Sequence, residues 1–140
     1  MLGVTAGGRK LPPFLILKRK NRPKKEVFPN DVLVRVQKKG WMTEELMLDW
    51  LKNVWGRQPG ALLQLESMLC LDAFRGHLTD PVKQKTKDMK SQMVIIPAGM
   101  TSVLQPMDVG VNKPFKDRLR KIYLDWLSSP DRELTPTGKI

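Results

Sequence analysis

Two short apolar runs, Met68-Leu69-Cys70-Leu71 and Met93 to Ile96, constrain this chain more than any other feature. Each has strand length and ends at a polar or breaking residue, Asp72 for the first and Pro97-Ala98-Gly99 for the second. Continuous apolar runs of this kind are expected of buried strands. Between them Thr79-Asp80-Pro81 reads as a helix start with proline in the first turn, leading into a Lys-rich stretch that ends near Met89. Strand, helix, strand in that order predicts an α/β unit whose two strands pair in parallel.

The upstream half adds a second group of elements. Met1 to Thr5 alternates weakly, Ala6-Gly7-Gly8-Arg9 supplies glycines able to turn, and Leu11 to Leu17 is again apolar, a β-hairpin pattern. Pro12 and Pro13 cannot donate ladder hydrogen bonds, so the second strand is an edge strand or starts at Phe14. Val32 to Val36 is a third strand candidate. Thr43 followed by Glu44 and Glu45 is a helix N-cap with carboxylates in the first turn. The helix is expected to run to about Trp55, with Leu46, Met47, Trp50, Leu51, Val54 and Trp55 on its apolar side, and to end at Gly56, Pro59 and Gly60. A last helix is expected from about Pro106 to Leu127, with Phe115, Leu119, Ile122 and Trp126 on one stripe and a kink or break near Gly110 to Pro114.

At 140 residues and 41% hydrophobic, the chain has room for one modest core, so one domain is expected over residues 1–128 and a flexible tail over 129–140. A single cysteine excludes an internal disulfide and a Cys-rich zinc cluster, and suits a reducing compartment. The apolar run Phe14 to Leu17 is far short of a membrane span, and residues 1–8 carry no signal-peptide pattern. The net charge of +11 is concentrated: residues 1–25 hold eight basic side chains and no acid, leaving +3 for the remainder. The block Lys18, Arg19, Lys20, Arg22, Lys24 and Lys25 cannot be desolvated without partners, so it forms a solvated basic loop over 18–30. It is suited to phosphate contact, to a nuclear-import address, or to solubility alone.

Two acids carry the candidate chemistry. Asp72 stands at the C-terminal end of an expected buried strand, where a side chain leaves the core and faces what binds above the sheet. Asp108, with thirty-five residues between, lies near the start of the last helix, seven residues before Phe115 on its core-facing side. Two converging carboxylates repel unless a divalent cation neutralises them, and Mg²⁺ takes one or two carboxylates together with phosphate oxygens. Phosphoryl transfer is the chemistry such a site serves. Each acid also has a simpler reading, Asp72 as a turn cap and Asp108 as a helix N-terminal charge. His77 is read as a hydrogen-bonding residue of a loop or helix start. The spacing of Trp41, Trp50, Trp55 and Trp126 favours packing over base stacking, and Cys70, inside an apolar strand, reads as inert. Lys83, Lys85, Lys87 and Lys90 read as the solvated side of a helix that adds to a DNA-facing surface.

Several motifs stand out together: Met1-Leu2-Gly3-Val4-Thr5-Ala6 with Gly8 and Lys10-Leu11-Pro12-Pro13, then Gly40-Trp41-Met42, then Leu69-Cys70-Leu71-Asp72 with His77. The most specific is Thr101-Ser102-Val103-Leu104-Gln105-Pro106-Met107-Asp108-Val109-Gly110-Val111-Asn112-Lys113-Pro114-Phe115. In these motifs the chain resembles the DDE endonuclease domain of pogo and Tigger-type transposases. The resemblance implies a ribonuclease-H-like mixed sheet with flanking helices, Asp72 as the second catalytic and metal-binding aspartate, and Asp108 as the third. The family's first aspartate sits on a central strand upstream of the segment matching Met1 to Ala6. This chain is therefore expected to lack that strand and one metal ligand. A hairpin strand is then expected to pair directly with Met68 to Leu71, or a partner chain or homo-oligomer to supply the strand.

These readings predict a transposase-derived, nuclear DDE domain that binds DNA largely without sequence preference and is catalytically inactive by itself, with Asp72 and Asp108 as vestigial ligands. The alternatives are a Mg²⁺- or Mn²⁺-dependent endonuclease or strand transferase completed by a longer form or partner chain, and a protein-interaction module.

Overall fold

Thr43 sets the first helix of the computed structural model: its backbone is extended and its Oγ1 accepts from the Leu46 N–H at 3.4 Å. The structure describes residues 1–23, 26–58, 61, 66–100, 104, 107 and 110–130. Its elements in order are β1 (Phe14–Lys18), β2 (Leu33–Gln37), α1 (Glu44–Asn53), β3 (Ser67–Asp72), α2 (Asp80–Asp88), β4 (Ser91–Ile96) and α3 (Asn112–Ser128). Single 3₁₀ turns at Trp55–Arg57 and Arg75–His77 follow α1 and β3. The chain divides into two compact units, residues 1–105 and 106–140.

The first unit opens with the expected hairpin. The Thr5 N–H donates to Arg9 O and the Leu11 N–H to Gly3 O, both at 2.9 Å, around an antiparallel Val4–Lys10 bridge. The two prolines supply no donor, and regular strand begins at Phe14. From there β1 pairs in parallel with β2, Phe14 opposite Leu33 and Lys18 opposite Gln37. Arg35 of β2 ties this pair to α1 through Asp49, Nε to Oδ2 at 2.7 Å and Nη2 to Oδ1 at 3.3 Å.

β3 and β4 form a second parallel pair, Ser67 opposite Ser91 and Asp72 opposite Ile96, joined through α2. Pro81 stands in the first turn of α2, where its missing N–H breaks no helical bond. The core gathers Leu11 and Phe14 from the hairpin, Met47, Trp50, Leu51, Val54 and Trp55 from α1 and its exit, Leu69 and Leu71 from β3, and Val82 from α2. Trp55 Nε1 donates to the buried Ser91 Oγ at 2.9 Å, and that hydroxyl lies 2.6 Å from Ser67 Oγ, fixing the exit of α1 to the start of both strands.

Two expectations are corrected here. No hairpin strand pairs with Met68 to Leu71 among the described residues: β1 pairs with β2 and β3 with β4, as two separate two-stranded sheets. The hairpin shares a side-chain core with β3 and is not joined to it by a backbone ladder among the described residues. Nor are β3 and β4 buried on both faces. Leu69 and Leu71 are buried, but Met68 and Cys70 on the opposite face are exposed, and in β4 Gln92 and Val94 are exposed as well. Side chains alternate along a strand, and helices cover only one face of this pair within its unit. Cys70 is accordingly an exposed thiol and not an inert core residue.

In the second unit α3 begins at Asn112, inside the interval where a break is expected, with Pro114 in its first turn. Phe115, Leu119, Ile122 and Trp126 do recur along it, yet none of its residues is buried. No helix among the described residues is long and apolar enough to cross a membrane. The expected tail falls, from residue 131 onward, outside the described residues.

Candidate active site

Alternation along β3 decides where Asp72 points. Leu69 and Leu71 face the core, so Met68, Cys70 and Asp72 share the open face, and Asp72 ends the strand at the rim. Its side chain is 38% exposed. The next residues curl over it: the Phe74 N–H donates to Asp72 Oδ1 at 3.4 Å, and the His77 N–H donates to Phe74 O at 2.9 Å to close the 3₁₀ turn. Gly76 is required in that turn, since a Cβ there would lie 2.9 Å from Phe74 Cε1 and 3.3 Å from Met42 O.

His77 is buried beneath this turn, edge-on to the Phe74 ring with centroids 5.4 Å apart. Its Nδ1 lies 2.8 Å from Asp72 Oδ1, but the oxygen is off the line of the ring N–H, so the buried nitrogen has no aligned hydrogen bond. The turn-cap reading of Asp72 is thus realised through one oxygen, Oδ1. Among the described residues no donor is aligned on Oδ2, which leaves a hard, half-exposed oxygen at the rim. One such oxygen suits a divalent cation that keeps most of its water, and among the described residues no group of three His, Cys, Asp or Glu gathers into a full cage. Asp108 lies outside the described residues.

The basic stretch leads away from β1. Lys18 ends the strand and Lys20 is exposed. Arg19 Nη1 lies 3.2 Å from Glu26 Oε1, and the Arg22 guanidinium sits over the Phe28 ring at 5.8 Å. Lys24 and Lys25 lie outside the described residues. Lys83, Lys85 and Lys87 are exposed on α2, and Lys90, also exposed, follows it at positive φ.

Sequence spacing misplaced two of the four tryptophans. Trp50 and Trp55 are buried as expected, but Trp126 on α3 is 39% exposed, and Trp41 is 63% exposed because it precedes the Thr43 N-cap and stands outside the helix whose periodicity suggested packing. Its ring contacts Phe74, with centroids 6.4 Å apart. The signal that separates Trp41 from Trp50 and Trp55 is the cap itself.

Residues 1–139 match the family described as DDE superfamily endonuclease. The chain belongs to this family. A human protein named "Pogo transposable element with KRAB domain" is 49% identical over 138 residues, 99% of this chain and 22% of that protein. Its mouse counterpart is 49% identical over the same share of this chain and 23% of its own length. A human "Pogo transposable element with ZNF domain" is 28% identical over 121 residues, covering 86% of this chain and 8% of that protein. The DDE chain described here thus spans about a fifth of the length of the first two relatives. No solved structure matches it.

Proposed function

We propose that this chain is a transposase-derived DDE domain segment that binds DNA through its basic surface and, as these 140 residues, does not cut it. The observation that carries the reading is the position of Asp72, at the C-terminal rim of a parallel pair with one carboxylate oxygen free of aligned donors, in a chain that matches the endonuclease family over residues 1–139. The fold is read as ribonuclease-H-like, with β3 and β4 as two of its parallel strands. Asp108 is read as the third acid, from the Thr101 to Phe115 block. Asp72 Oδ2 is then a candidate ligand of Mg²⁺ or Mn²⁺, and the resemblance to the family assigns Asp108 the same role, so that two of the family's three carboxylates are represented. A cation held there would activate a water or hydroxyl and stabilise the leaving oxygen of a phosphodiester. Lys18, Arg19, Lys20, Arg22, Lys24 and Lys25 supply phosphate contacts without sequence readout, and a nuclear location follows from a DNA partner.

A second reading is supported by the share of the relatives' length that these residues cover. A longer polypeptide or a partner chain that adds a strand and an acid would make the same rim a Mg²⁺-dependent endonuclease or strand transferase. Incubation of the chain with supercoiled plasmid and Mg²⁺, beside Asp72→Asn, separates the two. The expected result is salt-sensitive plasmid binding by both proteins and no nicking that depends on Asp72. Asp72-dependent nicking overturns the inactive reading, and binding that ignores salt overturns phosphate contact and leaves a protein-interaction role.

A further inference from the structure

We infer that Trp41 and the lysines around it form a stacking subsite for single-stranded DNA beside the Asp72 rim. The inference rests on the proposed DNA binding and adds a strand form and a place to it. Lys18, Gln37, Lys38, Lys39, Trp41 and Thr43 line a shallow depression in the first unit, with the indole as its largest apolar surface. All three lysines are exposed, and none has a carboxylate in ion-pair range among the described residues. A 63% exposed tryptophan set among exposed ammonium groups matches the two needs of an unpaired strand, a flat apolar platform for a base and positive charge along its phosphates.

The platform is held in place. Gln37 Oε1 accepts from the Lys39 N–H and from the Trp41 N–H, the latter at 3.3 Å, and the Gly40 N–H donates to Gln37 O at 3.0 Å. Gly40 has φ +73° and packs against Lys18, where a Cβ would come within 3.1 Å of the lysine Cβ. The turn is therefore clamped onto the end of β1, and the indole is presented at little entropic cost on binding. From Trp41 a run of contacts leads through Phe74 and the buried His77 to Asp72, which ties the platform to the turn that follows β3. Duplex DNA keeps its bases stacked on each other and cannot use the platform. An acidic peptide would use the lysines but gains less from the indole, and lysines are point charges that do not grip a carboxylate bidentately.

Fluorescence anisotropy of the chain with an oligothymidine of about 20 nucleotides and with a duplex of equal length tests this directly. Trp41→Ala is expected to weaken the single strand about tenfold or more while leaving the duplex within about twofold, and Trp41→Phe to recover most of the loss. Replacing Lys38 and Lys39 together by Ala is expected to weaken both forms and to flatten the single-strand salt slope by about 1.4. Unchanged single-strand affinity in Trp41→Ala, with duplex binding intact, overturns the subsite and leaves the DNA-binding reading standing. Equal weakening of both forms also overturns it. Polyglutamate that displaces the oligonucleotide in a Trp41-dependent way reassigns the depression to acidic peptides, and failure of the unaltered chain to bind either DNA sinks both readings.

Discussion

His77 presents its buried Nδ1 to Asp72 Oδ1 at 2.8 Å without aligning its N–H on that oxygen, so the pair is held by packing around it and not by a hydrogen bond. The Phe74 ring and the 3₁₀ turn supply that packing. His77→Ala is expected to lower stability by about 1–3 kcal/mol, read as a lower urea midpoint, because it opens a void under the turn. An unchanged midpoint would show that the ring carries no packing role.

Among the described residues of the first unit, Arg35 and Asp49 form the shortest ion pair. It is two-pronged, its side chains are 34% and 27% exposed, and Asn53 Nδ2 also donates to Asp49 Oδ1 at 2.7 Å. A double-mutant cycle of Arg35→Ala with Asp49→Ala is expected to give a coupling of about 1 kcal/mol. The same cycle on Lys83 and Asp80, 3.5 Å apart with the aspartate almost fully exposed, is expected to give none that can be measured. Equal couplings would show that burial does not set the strength of these pairs.

What was legible in the sequence was what local chemistry determines. Thr43 with two following glutamates, Pro81 after Thr79 and Asp80, and the donor-poor Pro12-Pro13 each mark a boundary that the structure keeps within a residue or two. The parallel pairing of β3 with β4 was legible from the strand, helix, strand order, but the partner of β1 was not, because pairing joins residues distant in sequence, and neither was the open face of β3, because the hydrophobic pattern of Met68 to Leu71 is the same whether one face is covered or two. That ambiguity hid the open face bearing Asp72 and Cys70. Trp41 was misread for a related reason: periodicity is counted along a helix, and the cap that excludes Trp41 lies only two residues on.

Ser91 is 6% exposed and serves Trp55 Nε1 and Ser67 Oγ at once. Ser91→Ala leaves a buried indole N–H without its acceptor, so a loss of about 1–3 kcal/mol is expected in chemical denaturation. Ser67→Ala keeps the Trp55 bond and is expected to lose about 1 kcal/mol or less. Equal losses at the two positions would show that the indole bond is not the stabilising contact.

Cys70 stands between Met68 and Asp72 on the open face of β3, so its thiol tests whether that face is exposed in solution. An inert core cysteine would react with a disulfide reagent such as Ellman's only as fast as the fold opens, whereas an exposed one reacts in the native state at a rate set by its thiolate fraction. The expected result is complete modification without denaturant, at a rate within about tenfold of the unfolded chain. The rate should not follow urea concentration below the unfolding transition. Protection that is lost only on unfolding would mean that the face bearing Asp72 is covered, and that a ligand reaches the carboxylate only after that cover moves.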